Sequence, residues 1–235
     1  MTDGHTARFY VEKVPERGRI GLNDEQSRHA KVLRIREGEP IELFDGNNEY
    51  KARFAGWDRI AQVEVLGKSE PKGTPGAQIT LAIAWPKRKN ADFLIQKATE
   101  VGVAALIPLM TKRTVVDPSA TKIERLRKVA INACEQCGRT TIPTISEPIT
   151  VDKMLADAER YDACFIADAS GKRLRLEGKP QRVLCIVGPE GGFTDEELQM
   201  ARGACTPVSL GTTVLRTETA GIVMVALINN LCSTQ

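Results

Sequence analysis

The sequence predicts two folded parts. A small β-rich unit spans residues 1–70, and an α/β domain with a mostly parallel sheet spans 79–235, with a linker at 71–78 between them. Three observations carry this. The first third holds short alternating or apolar runs around one helical stretch. A tract rich in Pro and Gly, Glu70 to Gly76, follows. From Ile79 onward apolar strand-like runs alternate with amphipathic helices, the pattern of a parallel sheet covered by helices.

Composition narrows the function classes. The chain has 235 residues, 27% of them charged, and a net charge of +3. That is ordinary for a soluble protein and too balanced to argue nucleic-acid binding by itself. The basic excess lies in the middle third, residues 76–139. No apolar run approaches the ~18 residues of a membrane span, and the start lacks a secretory apolar region. A cytoplasmic protein with no membrane partner is expected. Of the six cysteines, Cys164 and Cys185 sit in apolar runs and read as small buried hydrophobes in a reducing compartment. Cys134 and Cys137 have a zinc-like spacing but no second pair, so they read as helix packing residues, and no metal is expected.

In the first part, strands are expected at Arg8–Val11, Pro40–Phe44, Tyr50–Phe54 and Arg59–Leu66, with a hairpin turn at Asp45–Asn48. Asp24 is placed as the cap of a helix to Arg34 that presents Ala30 and Leu33. Arg28, Lys31, Arg34 and Arg36 cluster there and suit phosphate contacts, whereas His29 reads as a packing residue. These elements suggest a small barrel with one helix.

The second part opens with a strand at Ile79–Ala84. It ends in Lys87, Arg88 and Lys89, three successive cations suited to an RNA backbone. Asn90 or Asp92 would cap the next helix, with Leu94, Ala98 and Val101 as its buried stripe. Val103–Leu109 is a second strand with Pro108 at its end, and Lys112 and Arg113 follow as further RNA-facing cations. Thr121–Arg139 reads as a long helix. One stripe is apolar (Ile123, Leu126, Ala130, Ala133, Cys137), and another stacks Asn132, Glu135, Gln136 and Arg139. Thr150 caps a short helix to Glu159 or Arg160. A third strand, Ala163–Ala167, ends in a turn at Asp168–Gly171.

The stretch from Leu184 to Ala220 organises the rest. A buried strand, Val183–Val187, runs into Gly188-Pro189-Glu190-Gly191-Gly192, and Thr194 caps a short helix. A second strand, Thr206–Leu210, stops at Gly211. After Arg216-Thr217-Glu218-Thr219 comes a helix, Ala220–Leu231, apolar on nearly every side and expected to be buried all round. Neither turn has the spacing of a phosphate loop, so a small ligand held mainly by backbone is expected.

The pair GPEGGF and LGTTVLRTETA resembles the bacterial 16S ribosomal RNA uridine N3 methyltransferase family, of the trefoil-knotted methyltransferase superfamily. The likeness extends to KATEVGV, to the Glu135-Gln136-x-x-Arg139 pattern and to the HAKVLRxRxG run at His29–Gly38. It implies a deep trefoil knot, a PUA-like RNA-binding barrel at the N-terminus, a homodimer, 16S rRNA of the small ribosomal subunit as partner and S-adenosyl-L-methionine as cofactor. It places Leu184, Gly188, Pro189, Glu190, Gly191, Gly192, Leu210, Gly211, Val214, Leu215 and Arg216 around that cofactor, and Glu100 near the cleft. Pattern alone allows Glu100 to pair with Lys97 instead.

Uridine N3 holds its proton at neutral pH, so a site acting there must remove it or stabilise the anionic base. Asn132, Glu135, Arg139, Arg216 and Glu218 are the catalytic candidates, and the sequence does not single out the base. A knotted 2'-O-ribose methyltransferase and a non-catalytic ribosome-assembly protein are the alternatives.

Overall fold

A computed structural model describes residues 6–69, 76–114 and 123–233. The expected linker falls mostly on 70–75, outside the described residues, as does the expected helix start at Thr121. The chain divides into two compact units: Met1–Thr74 with Cys134–Ile142, and Pro75–Ala133 with Pro143–Gln235. The segment 134–142 thus groups with the N-terminal unit, although sequence reading assigns it to the second domain.

The first unit carries a five-stranded sheet, β1 (Ala7–Tyr10), β2 (Gly18–Gly21), β3 (Pro40–Phe44), β4 (Glu49–Asp58) and β5 (Ile60–Lys68), in the order β1-β3-β4-β5-β2. β1 runs parallel to β3 and the other pairs are antiparallel. The order is an open path, so hydrogen bonding between its edge strands does not close the expected barrel. β2 has no counterpart among the expected strands, because it is four residues long, begins and ends in Gly and has no buried position. The hairpin turn is as expected: the Asp45 carboxylate accepts the amides of Asn47 and Asn48 at 2.8 and 2.7 Å. Phe9, Leu22, Ile41, Leu43, Phe54 and Val63 are among the core residues.

Helix α1 (Asp24–Val32) is capped by Asn23, not Asp24. Gln26 three residues into the helix returns a bond to the cap, a reciprocal pair that only Asn23 can make. Ala30 is buried as expected, whereas Leu33 lies beyond the helix and is 49% exposed.

The second unit carries a seven-stranded sheet in the order β12-β10-β11-β6-β7-β8, with β9 also on β7, and its strand pairs are parallel. The strands are β6 (Gln78–Ala84), β7 (Ala105–Met110), β8 (Thr144–Ile145), β9 (Ile149–Thr150), β10 (Ala163–Arg173), β11 (Arg182–Val187) and β12 (Thr206–Ser209). β6 and β11 are central, and their interiors are buried on both faces, hence their unbroken apolar runs. Pro108 sits inside β7, in register with Ile83, and not at its end. The amides of Thr144 and Ser146 donate to the carbonyls of Ala104 and Leu106, so these even-numbered residues face β8. Pro108 shares their parity. Its missing N–H meets the gap between the end of β8 and the start of β9, where no ladder bond is lost.

Helix α2 (Arg88–Glu100) begins earlier than either expected cap allows. Its cap is Lys87, and Asn90 and Asp92 make tertiary bonds instead. Arg125 Nη1 donates to both Asp92 oxygens at 2.6 and 2.7 Å. Lys97 Nζ meets Glu100 at 2.8 Å, the plain surface pair. Helix α3 (Ile123–Cys137) buries Leu126, Ala130, Ala133 and Cys134, while Cys137 is exposed. Burial pushes the Cys134 thiol up to about 12. α4 (Val151–Ala156) follows Thr150, whose hydroxyl is buried without a partner and makes no cap bond. β10 runs on through the expected turn at 168–171 by way of a register shift between Ala167 and Lys172.

Helix α5 (Asp195–Arg202) starts at Thr194 with a reciprocal cap to Glu197. Helix α6 (Thr217–Ser233) starts three residues earlier than expected and packs on α2, β6 and β11. It is not buried all round: Ala220, Met224, Val225 and Ile228 are, but Leu227 is 41% exposed. The two cysteines Cys164 and Cys205 are bonded to each other, which corrects the reading of Cys164 as a free packing thiol. β12 lies directly beside β10 and brings them together. Cys185 is free and buried. No helix among the described residues is long and apolar enough to cross a membrane.

Candidate active site

Two cavities open along the carboxyl edge of the seven-stranded sheet, where open α/β sheets hold ligands. The first, about 320 Å³, lies at the ends of β10, β11 and β12. Gly188, Pro189, Glu190 and Gly192 wall one side, and Leu210, Gly211, Val214 and Leu215 wall the other. The second, about 370 Å³, lies at the end of β6 and includes Trp85, Lys87, Asn90, Thr114 and Arg216. Pro189 and Glu190 belong to both walls.

The turn after β11 is built by two glycines. A Cβ on Gly188 would lie 2.8 Å from the Phe193 ring, too close for any side chain. Gly192 has φ +70°, and its amide donates to Pro189 O at 2.8 Å to close the turn. Gly191, expected to need the same freedom, does not. A Cβ there would meet Arg113 at 3.6 Å, ordinary packing, and Gly191 lines neither cavity.

The turn is held from two sides. Thr217 at the start of α6 donates its hydroxyl to Gly188 O at 3.2 Å. Arg113 Nη1 donates to Gly191 O at 2.8 Å and Phe193 O at 3.2 Å. Beside it the buried Glu197 carboxylate accepts the Lys112 amide and the Thr194 amide, both at 2.8 Å. The Lys112 ammonium pairs with Glu196 on the surface, which holds the Glu196 carboxyl below its usual range and lifts Lys112 above its own. The two cations assigned to RNA from sequence therefore have protein partners, and those partners are the glycine turn and the helix after it.

The other expected cofactor residues separate cleanly. Leu184 is fully buried in the core of β11, too deep in the strand to reach a cavity. Arg216 lines the second cavity only. Asp168 lines the first, although in sequence it reads as a turn residue and carries no other signal. One of its oxygens accepts Ser170 N and Oγ at 2.8 and 2.9 Å.

Of the catalytic candidates, Glu218 is buried at the start of α6. One oxygen accepts Asn90 Nδ2 at 3.0 Å, and the other is buried without a partner. Glu135 accepts the Tyr10 amide at 2.9 Å inside the first unit, with Gln26 Nε2 at 3.5 Å. Burial raises its pKa against those bonds. Arg139 also belongs to the first unit, two residues beyond α3, and Asn132 is exposed on α3 in the second. Neither they nor Glu135 line either cavity.

Arg28, Lys31, Arg34 and Arg36 are all exposed on the first unit. His29 packs edge-on to Phe9 with ring centroids 5.9 Å apart. Lys87 and Lys89 are exposed, at the cap and in the first turn of α2, which Arg88 opens. The described residues hold no cluster of three or more metal-ligating side chains.

Residues 73–229 match the family model of an RNA methyltransferase domain, and 22–66 match that of an RNA methyltransferase PUA domain. Ribosomal RNA small subunit methyltransferase E of Synechocystis is 33% identical over 210 residues, 86% of this chain and 69% of that protein. The protein of the same name from Mesomycoplasma hyopneumoniae is 31% identical over 92% of this chain and 95% of its own. The crystal structure of the Neisseria gonorrhoeae protein of that name, bound to S-adenosyl methionine, superposes with a TM-score of 0.85 at 32% identity. It covers 97% of this chain and 98% of that one.

Proposed function

Because the chain belongs to the ribosomal RNA small subunit methyltransferase E family of RNA methyltransferases, we propose that it methylates N3 of a uridine in 16S rRNA, using S-adenosyl-L-methionine. The observation that carries this is the first cavity, with a glycine turn on each side at the ends of three adjacent strands. The cofactor has an adenine, a ribose, an amino-acid end and a sulfonium, and no phosphate. Its fit is to backbone and small apolar groups, which Gly188, Gly192, Leu210, Gly211 and Leu215 supply, with the Asp168 carboxylate for hydroxyl or ammonium donors. When bound it supplies an electrophilic methyl group. The chain's part is to orient that group and to handle the proton and charge of the acceptor.

In this reading Arg216 stabilises the anionic base, and Glu218 acts through Asn90. Asn132, Glu135 and Arg139 serve RNA placement or the frame that carries it. The exposed cations of the first unit, Arg28, Lys31, Arg34 and Arg36, bind phosphates, as do Arg88 and Lys89. Replacing them should flatten the salt dependence of RNA binding by about one log–log unit for each phosphate no longer neutralised. The domain assignment, barrel-like RNA module at 1–70 and catalytic domain at 79–235, belongs to the same proposal, as do the trefoil knot and a cytoplasmic location. The exposure of Leu227 on the largely apolar α6 supports a homodimer. Light scattering that returns a monomer would remove that part.

Calorimetric titration with adenosylmethionine tests the core of the proposal. The wild type should bind, and Gly188→Val should bind at least tenfold more weakly with its far-ultraviolet dichroism kept. Equal affinities would move the cofactor away from this turn.

A further inference from the structure

The second cavity lies outside the proposed cofactor pocket, yet it shares a wall with it. Resting on the methyltransferase reading above, we propose that this second cavity holds the acceptor uracil ring and that Glu190 accepts its N3 proton.

Position supports this first. Methyl transfer needs donor and acceptor atoms in near contact. Pro189 and Glu190 line both cavities, so the two spaces adjoin along these residues. The cavity's volume, about 370 Å³, suits a nucleobase with part of its ribose.

Chemistry supports it independently. Trp85, 4% exposed, and Pro86 offer flat apolar surface for a ring drawn out of its stack. Three charges stand around the space: Lys87, Arg216 and Glu190. Among the described residues none of them makes an ion pair or a side-chain hydrogen bond. The neighbouring charged groups Arg113 and Glu197 are, by contrast, partnered within the protein. Two unpaired cations and one unpaired carboxylate suit a ligand that is neutral on arrival and anionic when it reacts.

Uracil is such a ligand. Its N3–H bond breaks, the electron pair stays on the ring and spreads over O2 and O4, and the proton passes to a Glu190 oxygen. Lys87 and Arg216 then face the developing charge. Glu190 is exposed, so it can hand the proton on to water. Cytosine carries a lone pair and no proton at N3, and a carboxylate there repels it. Glu190 thus also discriminates between the two pyrimidines. Glu218, through its bond to Asn90 on the wall, is a positioning residue.

The chain has two tryptophans, so Trp57→Phe leaves Trp85 as the only one. In this full-length background, short oligouridylate should change Trp85 fluorescence, and matching oligocytidylate should do so several-fold more weakly. Adding Glu190→Gln should narrow that difference. It should also slow single-turnover transfer to rRNA at saturating adenosylmethionine by about 10²–10⁴-fold, a typical general-base loss. A Glu190→Gln enzyme as fast as its parent overturns the assignment. So does a silent Trp85 in an enzyme that methylates rRNA. A wild type that neither binds adenosylmethionine nor methylates rRNA removes the functional reading itself, and this inference with it.

Discussion

A buried charge in the first unit and three cavity charges in the second are held in opposite ways. In the first, Arg8 is buried and closely engaged. Its guanidinium meets Glu42 at 2.8 Å, Glu49 at 2.6 Å and the Thr140 hydroxyl at 2.9 Å, and it lies 4.7 Å from the centre of the Phe44 ring. Thr140 donates in turn to Glu49 at 2.6 Å. In the second unit, Lys87, Glu190 and Arg216 stand around a cavity with no such partners among the described residues. A buried charge surrounded by protein partners has little capacity left for a ligand. A charge at a cavity wall without them has all of it. The partners, more than the residue type, separate frame from chemistry.

The largest expected effect breaks the first side of that comparison. Arg8→Met leaves Glu49, 5% exposed, as a buried carboxylate without its cation. Denaturant unfolding should show a loss of about 3–5 kcal/mol. Adding Glu49→Met should recover part of it, because the desolvated charge is then gone as well. A single variant as stable as the wild type would make the network incidental.

The next effect tests the second side. Arg113 is a charge in the second unit that does have partners, the carbonyls of Gly191 and Phe193. It should therefore behave as frame, although it sits beside the site. Arg113→Ala should weaken adenosylmethionine binding about tenfold, the equivalent of about 1.4 kcal/mol, while kcat at saturating cofactor stays close to wild type. Arg113→Lys should fall between. A loss confined to RNA affinity would restore the phosphate role suggested by sequence.

The smallest effect concerns Glu135, a carboxylate from the candidate catalytic stripe that the first unit has taken into its frame. Burial raises its folded pKa above the unfolded value. The folded state then holds that proton more tightly, so this contribution to stability is complete below the ordinary carboxylate range. It is lost as pH rises through the folded pKa, and it levels off above. Glu135→Gln cannot titrate and can still accept the Tyr10 amide. Its stability relative to wild type should rise with pH across the weakly acidic range and then flatten. A constant difference would show that Glu135 titrates as if exposed.

The parts legible in sequence are those set by local pattern. The expected and observed bounds of β3 agree to the residue. Those of β6 and β11 agree to within one, because a strand buried on both faces is a continuous apolar run. The Thr194 cap and the glycine turn follow from side-chain size and hydrogen-bond capacity alone. The misread parts depend on distant partners. Asn90 and Asp92 are good caps by type, but Glu218 and Arg125 claim them, and the helix starts earlier without a side-chain cap. Lys112 and Arg113 are surface cations as they look, but their partners, Glu196 and the glycine turn, lie about 80 positions later in the chain. Leu184 stands next to the motif in sequence, but strand geometry leaves it in the core. The bond between Cys164 and Cys205 needs β12 to lie beside β10, a crossover that no local pattern announces.

Nucleoside mapping tests the central claim most directly. Small-subunit RNA from cells lacking the enzyme would be incubated with the protein and isotopically methyl-labelled adenosylmethionine, then digested and resolved by mass spectrometry. The label should appear in 3-methyluridine in wild-type reactions and nearly vanish with Arg216→Ala. Label in a 2'-O-methylated nucleoside, or no label in RNA at all, would contradict the proposed activity.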